Sequence, residues 1–173
     1  MSTQLLLIAD THWPKRAKAL PLEVWRAVER ADIVVHAGDW VGEGLLDELQ
    51  ARSRRLLACW GNNDGPEIRR RLPEVAHRTV EGARLAVVHE TGAAAGREAR
   101  MDRRYSGIDV LIFGHSHIPW DSVTPAGVRL LNPGSPTDRR RQPFATYMTA
   151  TIAETATGPG VDVTLHRLRP TRT

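Results

Sequence analysis

Cysteine and long hydrophobic runs are nearly absent from this sequence of 173 residues. Cys59 is the only cysteine, so no disulfide can form within the chain. Asp10 cuts the first apolar run short and no basic residues precede that run, which argues against a membrane-spanning helix and a secretory signal. We therefore expect a cytoplasmic protein without a membrane partner. The length predicts one domain over residues 1–173, large enough to bury a core.

Lysine is also scarce, and nearly all the positive charge comes from arginine. The net charge is +4, with Lys15 and Lys18 as the only lysines. A nucleic-acid-binding protein concentrates its basic residues on one helix or loop, whereas these are scattered apart from the run 139–141. The charge therefore gives weak support for anionic ligands and predicts no specific binding to nucleic acid.

Five short polar motifs each adjoin a short apolar run. The runs are typical of buried parallel strands, and residues just past the carboxyl ends of such strands converge on one crevice. The runs are Leu5–Ala9, Ile33–Ala37, Leu56–Cys59, Leu85–Val88 and Val110–Phe113. The motifs are Asp10-Thr11-His12, Gly38-Asp39, Gly61-Asn62-Asn63-Asp64, His89 and Gly114-His115-Ser116-His117.

The residue types in these motifs suit two adjacent divalent metal ions. Asp10 and His12 are two positions apart, as are His115 and His117, so in extended segments both members of each pair face the same way. Carboxylate and amide oxygens combined with imidazole nitrogens are ligands for manganese, iron, cobalt, nickel or zinc rather than for magnesium or calcium. Each motif alone is weak, but five of them at strand ends together predict a metal centre, with Gly38, Gly61 and Gly114 allowing close approach.

Strands and helices alternate in the first two thirds of the sequence, which indicates an α/β fold. Helices are predicted over residues 21–31, 44–51, 66–71 and 91–105. After Gly114 only strands are predicted: a hairpin that turns at 125–127, followed by strands over 144–152 and 161–168. We expect these last strands to form a second sheet packed on the first, with helices outside.

These motifs, together with Asn132-Pro133-Gly134-Ser135, resemble the calcineurin-like metallophosphoesterases, and within them the small prokaryotic phosphodiesterases that lack a cap domain. The resemblance covers residues 4–135 and implies a two-sheet β-sandwich flanked by helices, in α/β/β/α layers. It also implies two bound divalent ions, with manganese the first choice and nickel, iron, cobalt or zinc as alternatives. The implied activity is hydrolysis of small-molecule phosphodiesters by attack of a metal-bridging hydroxide.

Carried over residue by residue, the resemblance implies that Asp39 bridges the two metal ions. One ion would take Asp10, His12, Asp39 and His117, and the other Asp39, Asn62, His89 and His115. Two dications, two carboxylates and a hydroxide sum to about +1, which suits an anionic ester. Asp39, Asn62, His115 and His117 would then be the catalytic set.

The sequence departs from the family pattern at two positions. Many members have histidine after the Gly-Asn pair, where it protonates the leaving group, but here the residue is Asn63. Asparagine donates a hydrogen bond but cannot act as a general acid near neutral pH, so we expect a preference for good leaving groups. The second departure is Glu90-Thr91 after His89, where relatives place glycine, and it affects the expected shape of that loop.

Several neighbouring residues are candidates for substrate or supporting contacts. Trp13, Trp40, Trp60 and Trp120 all lie within three residues of a motif, and we expect at least one to reach the pocket; Trp13 and Trp40 are the candidates chosen here. Arg139 is a candidate for binding phosphate, although a solvated charged loop is the commoner explanation of such a run. Asp64 is expected to orient Asn62 or a ligand histidine, and His36 to support the site or the core.

Alternatives remain open at this stage. The same site would suit a phosphomonoesterase or a nucleotide pyrophosphatase. From a different class, a retromer subunit that resembles this family uses the fold as a non-catalytic protein-interaction scaffold, having lost ligand residues that this sequence keeps. A homo-oligomer is compatible with the sequence, but no stripe of residues identifies an interface.

Overall fold

The computed structural model describes residues 1–169, which form ten strands and four helices. The helices are α1 (Leu22–Arg30), α2 (Glu43–Arg52), α3 (Pro66–Arg71) and α4 (Arg97–Arg104). The first six strands are β1 (Ser2–Ile8), β2 (Ile33–Ala37), β3 (Leu56–Cys59), β4 (Val75–Val80), β5 (Ala83–Val88) and β6 (Val110–Ile112). The last four are β7 (Trp120–Val123), β8 (Arg129–Asn132), β9 (Ala145–Thr155) and β10 (Gly158–Leu168).

The strands form two five-stranded sheets. The first has the order β10-β9-β1-β2-β3, in which β1, β2 and β3 run parallel and the β9–β10 hairpin joins β1 antiparallel. The second has the order β4-β5-β6-β8-β7, with β5, β6 and β8 parallel and antiparallel strands at both edges. The second sheet is therefore not built from the last third alone, as the sequence suggested, because β9 and β10 return to the first sheet.

Three apolar layers hold the sheets and helices together, which confirms the predicted α/β/β/α layering. Between the sheets, alternate side chains of β1 and β2 such as Leu5 and Val35 meet Leu85 of β5 and Ile112 of β6. The opposite faces bury against helices, α1 and α2 on the first sheet and α4 on the second. Side chains of this size contribute about 1.5–3 kcal/mol each when fully buried, so burial on both faces stabilises the parallel strands.

The helix boundaries agree with the sequence for α1, α2 and α3 to within a residue or two, but not for α4. Residues 91–96 form a loop instead of the predicted first helical turns, because Gly92 and Gly96 adopt positive φ angles of 75° and 68°. Left-handed backbone is readily adopted by glycine and ends helical geometry. The short strand β4 was not predicted at all.

The loops after the parallel strands meet at one end of the sandwich. The amide of Asp10, after β1, donates to the Gly38 carbonyl after β2 at 3.0 Å. The amide of Gly114, after β6, donates to the His89 carbonyl after β5 at 3.0 Å. Each of these bonds ties two motif-bearing loops of one sheet to each other. None of the helices within residues 1–169 is both long and apolar enough to cross a bilayer.

Candidate metal centre

Side chains from three motifs form the first of two donor sets. The Nε2 atoms of His12 and His117 lie 3.2 Å apart, and His117 Nε2 lies 3.5 Å from Asp10 Oδ1. His12 Nε2 is also 3.5 Å from Asp39 Oδ2. Asp10, His12 and His117 are all buried and can direct one atom each at a common point. These are the side chains that the sequence assigned to one metal ion.

The second donor set lies on the other side of Asp39. Asn62 Oδ1 is 3.0 Å from His89 Nε2 and 3.0 Å from His115 Nδ1. His89 Nε2 is in turn 3.4 Å from Asp39 Oδ1. Asp39 thus presents Oδ2 to the first set and Oδ1 to the second, which is the geometry of a bridging carboxylate.

Backbone carbonyl groups orient two of the imidazole rings. Nδ1 of His89 lies 2.7 Å from the Ala37 carbonyl oxygen, and Nδ1 of His117 contacts the Asp138 carbonyl oxygen. A carbonyl oxygen only accepts, so both Nδ1 atoms carry a proton and both Nε2 atoms face the donor sets. Such support for the far nitrogen is a regular feature of metal-binding histidines.

Asp10 carries the clearest sign that this cluster is built for a cation. Its Oδ2 is buried and has no hydrogen-bond partner among residues 1–169. Burial raises the pKa of Asp10 to about 8, although nearby His89 lowers it. Burial also opposes ionisation of Asp39, but hydrogen bonds from His89 and Asn63 outweigh it and hold the pKa of Asp39 below its usual range. Two buried carboxylates this close need positive charge, and divalent cations would supply it.

The histidines of the first set are neutral at neutral pH. Burial lowers the pKa of His117 to about 4, and burial likewise lowers the pKa of His12. His89 differs, because Asp39 and Asp10 outweigh the effect of burial and raise its pKa. A neutral imidazole has the free lone pair that a metal ion requires. The donor chemistry therefore fits oxygen- and nitrogen-binding divalent ions.

Comparison with known proteins identifies one superfamily. Residues 3–155 match the model of the calcineurin-like phosphoesterase superfamily domain. The chain belongs to the calcineurin-like phosphoesterase superfamily. A probable metallophosphoesterase of Methanothermobacter thermautotrophicus is 33% identical over 135 residues, which cover 76% of each chain. Family membership supports a phosphoesterase that uses divalent metal ions.

Solved structures show the same fold. A Thermotoga maritima protein is 30% identical with a TM-score of 0.72, over 96% of this chain and 99% of the other. Vacuolar protein sorting 29 from Cryptosporidium parvum gives a TM-score of 0.75 at 18% identity, over 96% of this chain and 99% of the other. At that identity the second likeness bears on the fold alone.

Five of the donor residues have an unusual backbone conformation. Asp10, His12, Asp39, His115 and His117 all have positive φ angles, between 46° and 71°. The sequence argument assumed extended segments for the two pairs, and that assumption is wrong. Each of these donors instead lies in left-handed backbone, which costs free energy for residues other than glycine and is typical of functional sites.

Two glycines let the phosphoesterase loops approach closely. A Cβ atom on Gly61 would lie 2.3 Å from Asp39 Oδ1 and 2.9 Å from His89 Cγ. A Cβ atom on Gly114 would lie 2.9 Å from both Asp10 Oδ2 and the Ala37 carbonyl oxygen. No side chain fits at either position without moving a donor.

Asp64 acts on the backbone rather than on Asn62 or a histidine, which corrects the expectation from the sequence. Its Oδ2 accepts from the amides of Asp39 at 3.0 Å and Gly61 at 2.7 Å. Its Oδ1 accepts from the amide of Val41 at 2.7 Å. Asp64 therefore joins the loops after β2 and β3 and orients the residue that both donor sets share.

His36 and Trp40 belong to the core. Trp40 is fully buried, its ring stacks on His36 at 3.5 Å, and its indole N–H donates to the Cys59 carbonyl oxygen. The prediction that Trp40 contacts substrate is therefore wrong. His36 Nδ1 accepts from the Gly38 amide, so its Nε2 proton points to the Thr11 hydroxyl. Burial holds the pKa of His36 well below its usual value, so it supports the two loops as a neutral side chain.

Other tryptophans reach the clefts beside the donors. Trp13 donates its indole N–H to the Lys18 carbonyl oxygen and its ring packs closely on Gly44, so its role in the structure is packing. Trp60 lines a cleft of about 280 Å³ together with Asn62. Trp120 lines a second cleft, of about 410 Å³, beside His115. The expectation that a tryptophan near a motif reaches a pocket agrees with these positions, whereas Trp13 and Trp40 line neither cleft.

Arg140, not Arg139, is the arginine of the run 139–141 whose charge acts on the donors. Arg139 donates to the Gln142 carbonyl oxygen and lines a separate cleft with Leu22, so the structure contradicts its predicted role. The charge of Arg140 lowers the pKa of Asp10, His12 and His117, each of which burial affects more strongly. Both arginines belong to the same basic run, and a run alone does not indicate which charge acts on the donors.

Asn63 lies at the rim of the centre and is exposed. Its side-chain amide donates to Asp39 Oδ2 at 2.6 Å, and its backbone amide donates to Asp39 Oδ1 at 2.9 Å. The residue at the expected general-acid position therefore lies beside the bridging carboxylate.

The structure explains the role of segment 132–135, which the family resemblance identified only as a motif. Asn132 donates its side-chain amide to the Gly114 carbonyl oxygen at 2.8 Å. The Ser135 hydroxyl donates to the Asp10 carbonyl oxygen at 2.8 Å. This turn therefore holds the loops that contain Asp10 and Gly114 in place, and it supplies no ligand of its own.

Proposed function

We propose that this chain is a dinuclear metal-dependent phosphodiesterase whose single domain spans residues 1–173. One observation carries the proposal: two sets of nitrogen and oxygen donors lie on opposite sides of Asp39 and share its carboxylate. The buried, unpartnered Oδ2 of Asp10 adds support, because a polar atom is rarely left without a partner in a buried site.

The assignment of ligands follows the two donor sets. Asp10, His12, Asp39 and His117 would hold one ion, and Asp39, Asn62, His89 and His115 the other. Manganese is our first choice, with nickel, iron, cobalt and zinc as alternatives, since imidazole and carboxylate ligands suit all of them. When bound, two such ions would offset charge on a phosphoryl group and supply a hydroxide nucleophile at neutral pH.

The residues around the donors would select the ester. The positive charge of Arg140 acts on Asp10, which favours an anionic phosphoryl group at the centre. Asn63 cannot donate a proton to a leaving oxygen, so aryl or nucleoside leaving groups would be preferred. Replacing Asn63 with histidine should raise turnover of poorly activated alkyl esters; an equal loss on all esters, with metal content unchanged, would contradict this.

Metal analysis and hydrolysis of bis(p-nitrophenyl) phosphate test the proposal together. The purified protein should contain close to two manganese equivalents after loading. Asp39→Asn or His117→Ala should lower the metal content and reduce hydrolysis by about a hundredfold or more. His77→Ala serves as the matched control, since His77 is exposed on β4 and far from both donor sets in the topology. A protein that holds no metal and hydrolyses no ester would overturn the proposal.

Two alternatives are separated by the same assays. Side-by-side turnover of p-nitrophenyl phosphate and its diester distinguishes a phosphomonoesterase from a phosphodiesterase. A non-catalytic scaffold is the second candidate, because the vacuolar protein sorting 29 fold matches nearly the whole chain. We prefer the enzyme because every donor position holds a competent ligand, and we expect it to act in the cytoplasm on small-molecule esters.

A further inference from the structure

Arg97 is a buried arginine without a carboxylate partner. It begins α4, is only 4% exposed, and its guanidinium carbon lies 4.4 Å from the ring centre of Trp120 and 4.8 Å from that of Phe113. Its Nε is buried with no hydrogen-bond partner among residues 1–169, and its Nη2 donates to the Gly92 carbonyl oxygen at 3.3 Å. Buried charges are normally paired, so this one requires an explanation.

Neighbouring arginines do not share this property. Arg100, one turn further along α4, donates to the carbonyl oxygens of Thr91 and Ala95 and contacts that of Ala93. Arg129, on β8, forms a bidentate pair with Asp121 at 2.8–2.9 Å. The N–H groups of Arg100 and Arg129 are therefore bonded to other groups of the protein, whereas most N–H groups of the Arg97 guanidinium are not.

The guanidinium of Arg97 lines the cleft of about 410 Å³ that His115 also lines. Glu90 is the one acidic residue among the described residues of this cleft, and its side chain is 56% exposed and 3.9 Å from His115 Nε2. Glu98, the next residue of α4, accepts from the Ser122 hydroxyl at 2.9 Å. Burial lowers the pKa of Arg97 and Glu98 partly offsets this, so some negative charge is near but none is paired with the guanidinium.

We propose that the Arg97 cleft binds a second oxyanion of the substrate, a phosphate or carboxylate group separate from the phosphoryl group at the metal centre. The aromatic rings cover the faces of the guanidinium, and its N–H donors lie in its plane, in the fork that matches two oxygens of such a group. Burial of Arg97 strengthens this recognition because little water competes for its donors.

The position of the cleft defines the substrate class. His115 belongs both to the proposed metal site and to the cleft, so the second oxyanion would lie directly beside the reacting phosphorus. The inference rests on the proposed function and narrows it to phosphodiesters that carry a second anionic group, such as dinucleotides with a terminal phosphate.

Anion binding can be measured without catalysis. Isothermal titration of the EDTA-treated protein with inorganic phosphate, and separately with acetate, should show binding that Arg97→Met weakens about ten- to a hundredfold, the range for a charge-assisted hydrogen bond. Whichever of the two anions binds more tightly indicates whether the cleft accepts a phosphate or a carboxylate group. Arg103→Met is the matched control, because Arg103 is exposed on the same helix and its replacement changes the net charge equally. Equal affinity in the wild type and a folded Arg97→Met variant would overturn the inference.

A second pair of variants leaves the buried arginine intact, in case Arg97→Met fails to fold. Ala94 and Ala95 are both exposed in the loop before α4, but only Ala94 lines the cleft. Ala94→Asp should abolish phosphate binding by repulsion, whereas Ala95→Asp should bind nearly as the wild type does. The inference fails if both variants bind phosphate equally well.

Kinetics then separate this inference from the proposed function. The manganese-loaded wild type should hydrolyse a dinucleotide with a 5′-terminal phosphate with a kcat/KM at least about tenfold above that for the same dinucleotide without it. This ratio should approach one in Ala94→Asp and be retained in Ala95→Asp. If the wild type still turns over bis(p-nitrophenyl) phosphate but gives a ratio near one, the inference is contradicted and the proposed function is not. If no ester is hydrolysed, the proposed function fails and the phosphate titration alone decides the site.

Discussion

Asp64→Asn removes the negative charge of a side chain that supports the candidate metal centre, and it keeps the shape of that side chain. Asp64 is 4% exposed and accepts three backbone N–H bonds, from Asp39, Val41 and Gly61. Asparagine can accept through only one oxygen, so its amide group would face at least one backbone donor and leave it unpaired. The residue that moves as a result is Asp39, which both donor sets share.

The magnitude follows from the number and type of these bonds. A hydrogen bond to a charged group contributes about 1.5–3 kcal/mol, roughly twice a neutral one, so three bonds lose about 3 kcal/mol together. Burial of the carboxylate opposes this, since burial raises the pKa of Asp64 in spite of its three donors. We therefore expect a net loss of about 1–3 kcal/mol in the free energy of unfolding. Disturbed support of a ligand should lower manganese affinity by about ten- to a hundredfold.

Two measurements check this estimate. Urea unfolding of the EDTA-treated protein gives the change in stability, and calorimetric titration with manganese gives the change in affinity. Asp121→Asn is the matched control, because Asp121 pairs with Arg129 at the surface and such pairs contribute about 0–1 kcal/mol. If Asp64→Asn is destabilised but binds manganese as tightly as the wild type, Asp64 does not position Asp39 and the reasoning is refuted.

Three further predictions concern residues in and behind the centre. Gly61→Ala should retain the fold but lose most manganese binding, because the added Cβ would lie 2.3 Å from Asp39 Oδ1; unchanged metal content contradicts this. Since the folded-state pKa of Asp10 is raised to about 8 from 3.8, its contribution to stability is complete below about pH 4 and lost as the pH rises through 8. The increase in Tm on adding manganese should therefore grow from pH 5 to pH 8, and an increase independent of pH would count against it. Trp40→Phe should lower stability by about 1–3 kcal/mol by unpairing the Cys59 carbonyl oxygen, while KM stays unchanged; a raised KM would restore Trp40 as a substrate contact.

Strand positions and donor identity could be read from the sequence because they depend on local order. Runs such as 56–59 and 85–88 are short, continuous and apolar, which is typical of strands buried on both faces, and the structure has β3 and β5 at those residues. Polar residues at the ends of such strands have to meet at one edge. The need for glycine at position 61 could be anticipated for the same reason, since a tight approach excludes a side chain.

Supporting contacts could not be read in this way, because they depend on the orientation of single side chains. Within one basic run, Arg139 turns to a separate cleft and Arg140 acts on the centre. Asp64, only two residues from Asn62, accepts from backbone amides of another loop. Nothing in the spacing of the sequence distinguishes these outcomes.

The amino-acid order of this protein determined the apolar strands, the set of candidate metal-binding side chains and the superfamily, since each depends on residue type and distance along the chain. Only the tertiary structure decided that β9 and β10 join the first sheet and that five donors lie in left-handed backbone. It alone left Arg97 buried without a carboxylate. The physical reason is that such features arise from contacts between distant segments, whose packing selects one backbone conformation and one partner among several that local sequence allows.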